Sequence, residues 1–268
     1  MKKFTCSWWL FIFMLLLSSC SQYAYYQSPF QSNTASYKTM PLYSDSIRSA
    51  VYANATFTTG GANSQYRDGI NGGIVSIYRT HTSRNIQAFY GLTGTLGNYH
   101  VKPYIGKVNN KNLDTTSINN NAGGKFFGGW GATGGFNFNI PFAKHEWRIG
   151  TELSWEHEFG KLLDFRSHLP DTAANLIGTS KNYMTAALTS DLVFHTPKGA
   201  IGYKIAVVKS MNLLHGYDRE RIPYSVAPGY VSQTFHVTVN QVTGFSQVNF
   251  GTYSMSIQFG INYRLNKH

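Results

Sequence analysis

Cysteine is almost absent from this chain: 268 residues hold two, Cys6 and Cys20. A disulfide framework is therefore excluded as the device that holds the fold together. Charge is also scarce. Only 13% of residues are Asp, Glu, Lys or Arg, while 15% are aromatic. A chain poor in charge and rich in Tyr, Phe and Gly is the reverse of a disordered one. Long hydrophobic runs are missing after Leu17, so no transmembrane helix is expected beyond the leader. The mean hydropathy of -0.24 does not argue against membrane insertion, because strands that alternate apolar and polar residues average out. Acidic residues are few as well, and the net charge is +11. For an exported chain, the matching anions are lipid headgroups or lipopolysaccharide phosphates rather than nucleic acid.

What is present begins with the leader. Met1-Lys2-Lys3 is basic, Trp8 to Leu17 is almost unbroken apolar, and Leu17-Ser18-Ser19-Cys20 ends it in small residues and a cysteine. The run is too short to span a bilayer and has the flanks of a secretory signal. Residues 20–46 follow, rich in Tyr, Ser, Gln and Pro and without periodicity; they read as a tether. From residue 47 the pattern changes to repeated period-two alternation, the signature of half-buried strands. Eight such segments are expected: about 51–58, 73–80, 86–96, 130–140, 147–159, 184–194, 201–207 and 253–265. Residues 231–239 also alternate; they are expected to form a hairpin arm in the last long loop, with a ten-stranded barrel as the alternative.

The connections expected between these segments alternate in length. About 81–84, 141–144 and 196–198 are short; about 60–72, 97–124, 160–180 and 210–250 are long. Short turns on one side and long loops on the other are what outer-membrane barrels show. The polar faces carry Arg148, Glu152, Glu156, Glu158, Lys204 and Arg264, which cannot enter a dry core without partners. These six are expected to form a polar network inside the barrel, with the apolar faces turned to lipid. A soluble barrel would reverse the two faces, and periodicity alone does not separate the cases. Aromatic residues near strand ends (Trp147, Trp155, Phe159, Phe194, Tyr263) favour the membrane arrangement.

Motifs for chemistry are weak. Gly129-Trp130-Gly131-Ala132-Thr133-Gly134 fits the dinucleotide fingerprint in letters only, since it lies inside an alternating strand. Its glycines read instead as room for large side chains in the lumen. Glu156-His157-Glu158 cannot converge on a metal, because adjacent strand residues face opposite sides. No metal site and no cofactor are expected apart from lipid on Cys20. His100 and His195, near strand ends, are the candidates for a His–Ser pair acting on lipid acyl chains at the membrane rim.

On these residues the chain resembles two groups. Residues 1–20 resemble a bacterial lipoprotein signal, whose lipobox is matched by Leu17-Ser18-Ser19-Cys20; this implies lipidation of Cys20 after removal of residues 1–19. About 48–265 resembles the small outer-membrane β-barrels in architecture. Ser21-Gln22-Tyr23 lacks the acidic run of some surface-exported lipoproteins, which implies an anchor in the periplasmic leaflet. The C-terminal His268 departs from the terminal aromatic common in such barrels. The expectation is an all-β, up-and-down transmembrane barrel over 47–268, lipid-anchored in the outer membrane. It would act as a structural or accessory subunit, without enzymatic activity, with long loops for binding. Its partners would be outer-membrane lipid, lipopolysaccharide and an outer-membrane protein complex. A lipid A-modifying enzyme and a small channel are the competing classes.

Overall fold

The computed structural model describes residues 24–32, 35–42, 48–63, 67–104, 115–217 and 223–265. The leader and Cys20 lie outside them. The wall consists of β1 (Ser49–Ala62), β2 (Asp68–Ser83), β3 (Ile86–Val101), β4 (Gly123–Pro141), β5 (His145–Phe159), β6 (Asn182–Thr196), β7 (Gly199–Ser210), β8 (Gly229–Val239), β9 (Val242–Gly251) and β10 (Ser254–Arg264). Each strand pairs antiparallel with the next, and β10 pairs with β1 to close the barrel. Every wall strand thus has two ladder partners, and the sheet has no open edge.

Ten strands replace the eight expected. Residues 229–239 are a wall strand rather than an arm, and 242–251 form its partner across a two-residue turn at Asn240-Gln241. Asn240 sits at φ 55°, the left-handed region that tight hairpin turns require. The sequence hid β9 because its faces are mixed. Thr243, Phe245, Gln247 and Asn249 are buried, while Gly244, Ser246 and Val248 lie between more exposed Val242 and Phe250. The length rule for connections survives in part: three of the five at the capped end are long, while 63–67 has five residues and 252–253 two. Residues 84–85, 142–144, 197–198 and 240–241 are short and share one end; 63–67, 102–122, 160–181 and 211–228 are at the other end, joined there by a tight turn at 252–253.

Burial settles which face is apolar. Along β5, Glu146 and Arg148 are buried while Trp147 and Ile149 are exposed. Leu92, Val75, Ile205 and Leu188 stand outward, Leu188 with 68% of its surface exposed. Exposed Phe138, Trp147, Phe194 and Tyr263 lie near the short-turn end, and Phe126, Trp130, Phe159 and Phe250 near the other. Aromatic residues at both ends, bracketing an apolar belt that also holds Phe57, Phe235 and Phe259, are the surface that a bilayer selects.

The expected tether is not outside the barrel. Residues 24–32 and 35–42 run through it, with Tyr26, Phe30, Tyr37, Lys38 and Met40 all buried. The Ala24 and Tyr25 amides donate to Asn175 and Asn63 at the long-loop end (2.9 and 2.8 Å). The Pro41 carbonyl accepts from Gln87 (2.7 Å) and Arg148 (3.2 Å), close to the short turns. The chain therefore crosses the lumen before it enters β1. An eight-stranded barrel is filled by its own side chains; two more strands leave room for one extended segment.

The long-loop end carries a folded cap. Tyr25–Tyr26, Leu176–Ile177, Leu214–Tyr217 and Pro223–Val226 form a four-stranded sheet in that order. α1 (Thr115–Asn120) buries Ile118, and α2 (Lys161–His168) buries Leu162, Leu163, Phe165 and Arg166. Tyr26 meets the Phe165 ring edge-on at 5.2 Å, within one apolar cluster that also holds Phe30, Ile70, Tyr99 and Phe127. Among the described residues this is the largest apolar cluster, and it lies under the cap rather than mid-barrel.

Candidate functional site

The lumen and the segment inside it are where the polar residues converge. At the capped end, Ser28 caps a short 3-10 turn at Pro29–Gln31, accepting from the Phe30 amide. Its hydroxyl also donates to Glu158 (2.6 Å), and the same carboxylate oxygen accepts from Arg166 (2.6 Å). Arg166 is 0% exposed and donates further to the Gly178 carbonyl (2.5 Å) and the Tyr183 hydroxyl (3.0 Å). Burial works against its charge, but Glu158 and Tyr183 outweigh that and hold its pKa above the ordinary arginine value. Nearby, Arg67 lies 4.1 Å over the Tyr104 ring. Burial, with Asp68 adding to it, pushes the Tyr104 hydroxyl up to about 12.

The middle of the segment is gripped by side chains. Phe30 fits over Gly129, where a β-carbon would collide with its ring. Two glycines of the false dinucleotide fingerprint, Gly129 and Gly131, therefore do make room in the lumen, for Phe30 and Glu156, while Gly134 has outward parity. Gln31 donates to Ser210 (3.1 Å), and Gln247 donates to the Ala35 carbonyl (2.8 Å). Tyr37 stacks on His236 at 4.5 Å. Towards the short turns, Tyr78 accepts from the Thr39 amide (2.9 Å) and donates to the Asn262 side chain (2.9 Å). Apart from the seat at Gly129, these grips on the barrel use wall side chains. Among the described residues, the segment's only strand pairing, Tyr25–Tyr26 with Leu176–Ile177, is made to the cap.

The six expected network residues all face inward, but they form separate groups rather than one. Arg148 pairs with Glu146, lies 3.8 Å from Asp191, and holds Pro41. Asp191 in turn meets His236 at 3.0 Å. Lys204 pairs with Glu152. Glu156 accepts from Thr93 (3.0 Å), and Glu158 serves Arg166 and Ser28. Arg264 lines the short-turn mouth with His195, Lys198 and Leu42, around a cavity of about 380 Å³. Sequence reasoning missed Glu146, Asp191 and His236, whose signal was present as inward parity on β5, β6 and β8. It also missed Arg166 and Lys38, which carry no such signal because they lie outside the wall.

Charge balance links these groups. The wall turns Asp68, Glu146, Glu152, Glu156, Glu158 and Asp191 inward against Lys125, Arg148, Lys204 and Arg264. Lys38 from the segment, 7% exposed, and Arg166 from the cap supply the missing cations. His157 faces outward, bonded to Asn182 at 2.8 Å, so the Glu156-His157-Glu158 run does not converge. His195 lies 3.9 Å from Glu146, and His100 is exposed at the end of β3. Among the described residues, no three His, Cys, Asp or Glu side chains gather as a metal site requires.

No protein-family model matches the chain, and no curated protein matches it. Solved barrels do resemble it in shape. The translocator domain of the autotransporter NalP from Neisseria meningitidis aligns over 83% of this chain and 90% of its own, at 10% identity and a TM-score of 0.33. The β domain of the Bordetella autotransporter BrkA aligns over 82% and 100%, at 9% identity and a TM-score of 0.41. The Pseudomonas putida toluene transporter TodX aligns over 91% and 73%, at 12% identity and a TM-score of 0.34. What this chain has in common with them is the closed, antiparallel, all-β barrel.

Proposed function

We infer that this chain is a lipid-anchored, integral outer-membrane barrel acting as a structural or accessory subunit, with its folded cap as the binding surface. The observation that carries this reading is the contrast between faces: a continuous apolar belt with aromatic residues at both its ends outside, and a lumen filled by the chain's own segment inside. A barrel so filled presents no open route, which leaves the cap as the part free to meet a partner. Both rims carry cations, Arg67, Lys102 and Lys161 at the cap and Arg84, Lys144 and Lys198 at the short turns. These suit anionic headgroups and lipopolysaccharide phosphates.

The crossing of the lumen supports the other leaflet for this anchor, which we propose in place of the periplasmic one. The periplasmic-leaflet expectation assumed that the chain passes straight from Cys20 into β1. Ala24 instead lies under the cap. Four residues reach at most about 14 Å, whereas a 14-residue strand such as β1 is about 46 Å long. A lipid on Cys20 therefore belongs to the leaflet on the capped side. With short turns periplasmic, as in outer-membrane barrels generally, that is the outer leaflet. The test is a specific protease site placed at Gln22-Tyr23, with palmitate labelling of Cys20 as the readout. Protease added to intact cells should separate the label from the barrel, and Cys20→Ala should remove the label altogether. Cleavage only after the outer membrane is permeabilised would return the anchor to the periplasmic side.

A further inference from the structure

We propose that the stretch 24–42 is a removable stopper, and that the wall around it encloses a cation-selective pore. The proposal rests on the membrane-barrel reading and goes beyond it.

Three observations support it. The first is that the wall closes without the stopper. Each of its ten strands is paired on both sides by another wall strand, and residues 27–32 and 35–42 add nothing to those ladders. Withdrawing them breaks side-chain contacts and leaves the barrel's backbone hydrogen bonds in place.

The second is the chemistry of the interface. A permanently packed interior leaves few polar atoms unsatisfied. Here the stopper's apolar contacts are made by Tyr26 and Phe30 towards the cap and by Met40 towards the short turns; between them it meets Asn, Gln, Thr, Ser and Tyr side chains, and several buried lumen atoms have no protein partner. These include both amide atoms of Asn139, the Thr95 hydroxyl and one oxygen each of Glu156 and Glu158. Such groups are satisfied by water, so an emptied lumen would hydrate readily.

The third is charge. The wall's inward carboxylates exceed its inward cations, and Lys38 is the stopper's contribution to the balance. Once Lys38 has gone, the lumen attracts cations and repels anions. The chain as a whole carries +11, so this selectivity is opposite to what its net charge would suggest.

The test keeps the full chain. A specific protease site is placed within 43–47, the folded protein is inserted into planar bilayers, and it is then cut. The intact protein should be closed. After cutting, discrete steps of current should appear, with potassium favoured over chloride several-fold. A synthetic peptide of residues 24–42 should block them, and a scrambled peptide should not. A second full-chain variant, Phe30→Ala with Tyr37→Ala, loosens the grips at Gly129 and His236 and should flicker open without cleavage. Silence of the double variant, or of cut protein that has released its segment, would overturn the proposal. So would anion selectivity, or failure of the peptide to block. Failure of the underlying reading would look different, because the protein would not insert and would migrate identically on gels before and after boiling.

Discussion

The wall and the segment it encloses are both extended chain, yet they are held by opposite means. A wall residue such as Val248 is fixed by ladders to Gln233 on one side and Ile257 on the other, whatever its side chain. A stopper residue such as Thr39 or Gln31 is fixed by the side chains it happens to face, Tyr78 in one case and Ser210 in the other. The wall is consequently robust to sequence and intolerant of backbone change. The stopper should show the reverse, and its register is set by a few specific grips.

Substitutions put that contrast to the test. The largest effect is expected at Arg166→Ala, which strips a fully buried Glu158 of its cation. Removing one partner of such a pair costs about 3–5 kcal/mol. The loss should appear as protease cutting within 160–181, while the wall still shifts on gels between unboiled and boiled samples; an unfolded wall would show that cap and barrel are one unit. Next is Leu188→Arg on the outer belt, a substitution of about 2–4 kcal/mol if the side chain faces the bilayer midplane. Chemical denaturation in lipid vesicles measures it, and a neutral result would mean that this face meets water.

Smaller effects follow within the lumen. Ser28→Ala removes a hydrogen bond to a carboxylate, worth about 1.5–3 kcal/mol. It should raise hydrogen exchange at Phe30 and Gln31 without changing exchange in β5. Smallest of all, replacing exposed Asn120 at the end of α1 by Gly should shift barrel stability by less than about 1 kcal/mol, because connections tolerate change that ladders do not. A larger shift would tie α1 to the wall through Ile118.

These same differences explain how much was legible beforehand. Wall strands announce themselves because one face meets lipid and the other water or polar side chains, and the alternation in β5 and β10 is a direct record of that. Inward Arg148, Glu152, Glu156, Glu158 and Lys204 could be placed by parity alone. Their partners across the lumen could not, since parity gives a face but not a height. β9 was lost because Gly244 and Ser246 interrupt its outer face. The stopper was lost for a different reason. It is enclosed on all sides by wall, so no periodic face is imposed on it, and buried Tyr, Ser and Gln read as a solvated linker.

The closing pair of the barrel is the first wall strand with the last, and this bears on how the molecule is assembled. Until β10 finds β1, the sheet is an open trough, and the segment preceding β1 can lie down in it sideways. After closure, the same segment would have to be drawn lengthwise through a narrow tube, pulling its N-terminal end and any acyl chains on Cys20 with it. Making the seam last removes that obstacle, so synthesis order, with the stopper first and its final retaining strand last, matches the order in which a threaded barrel is most easily built.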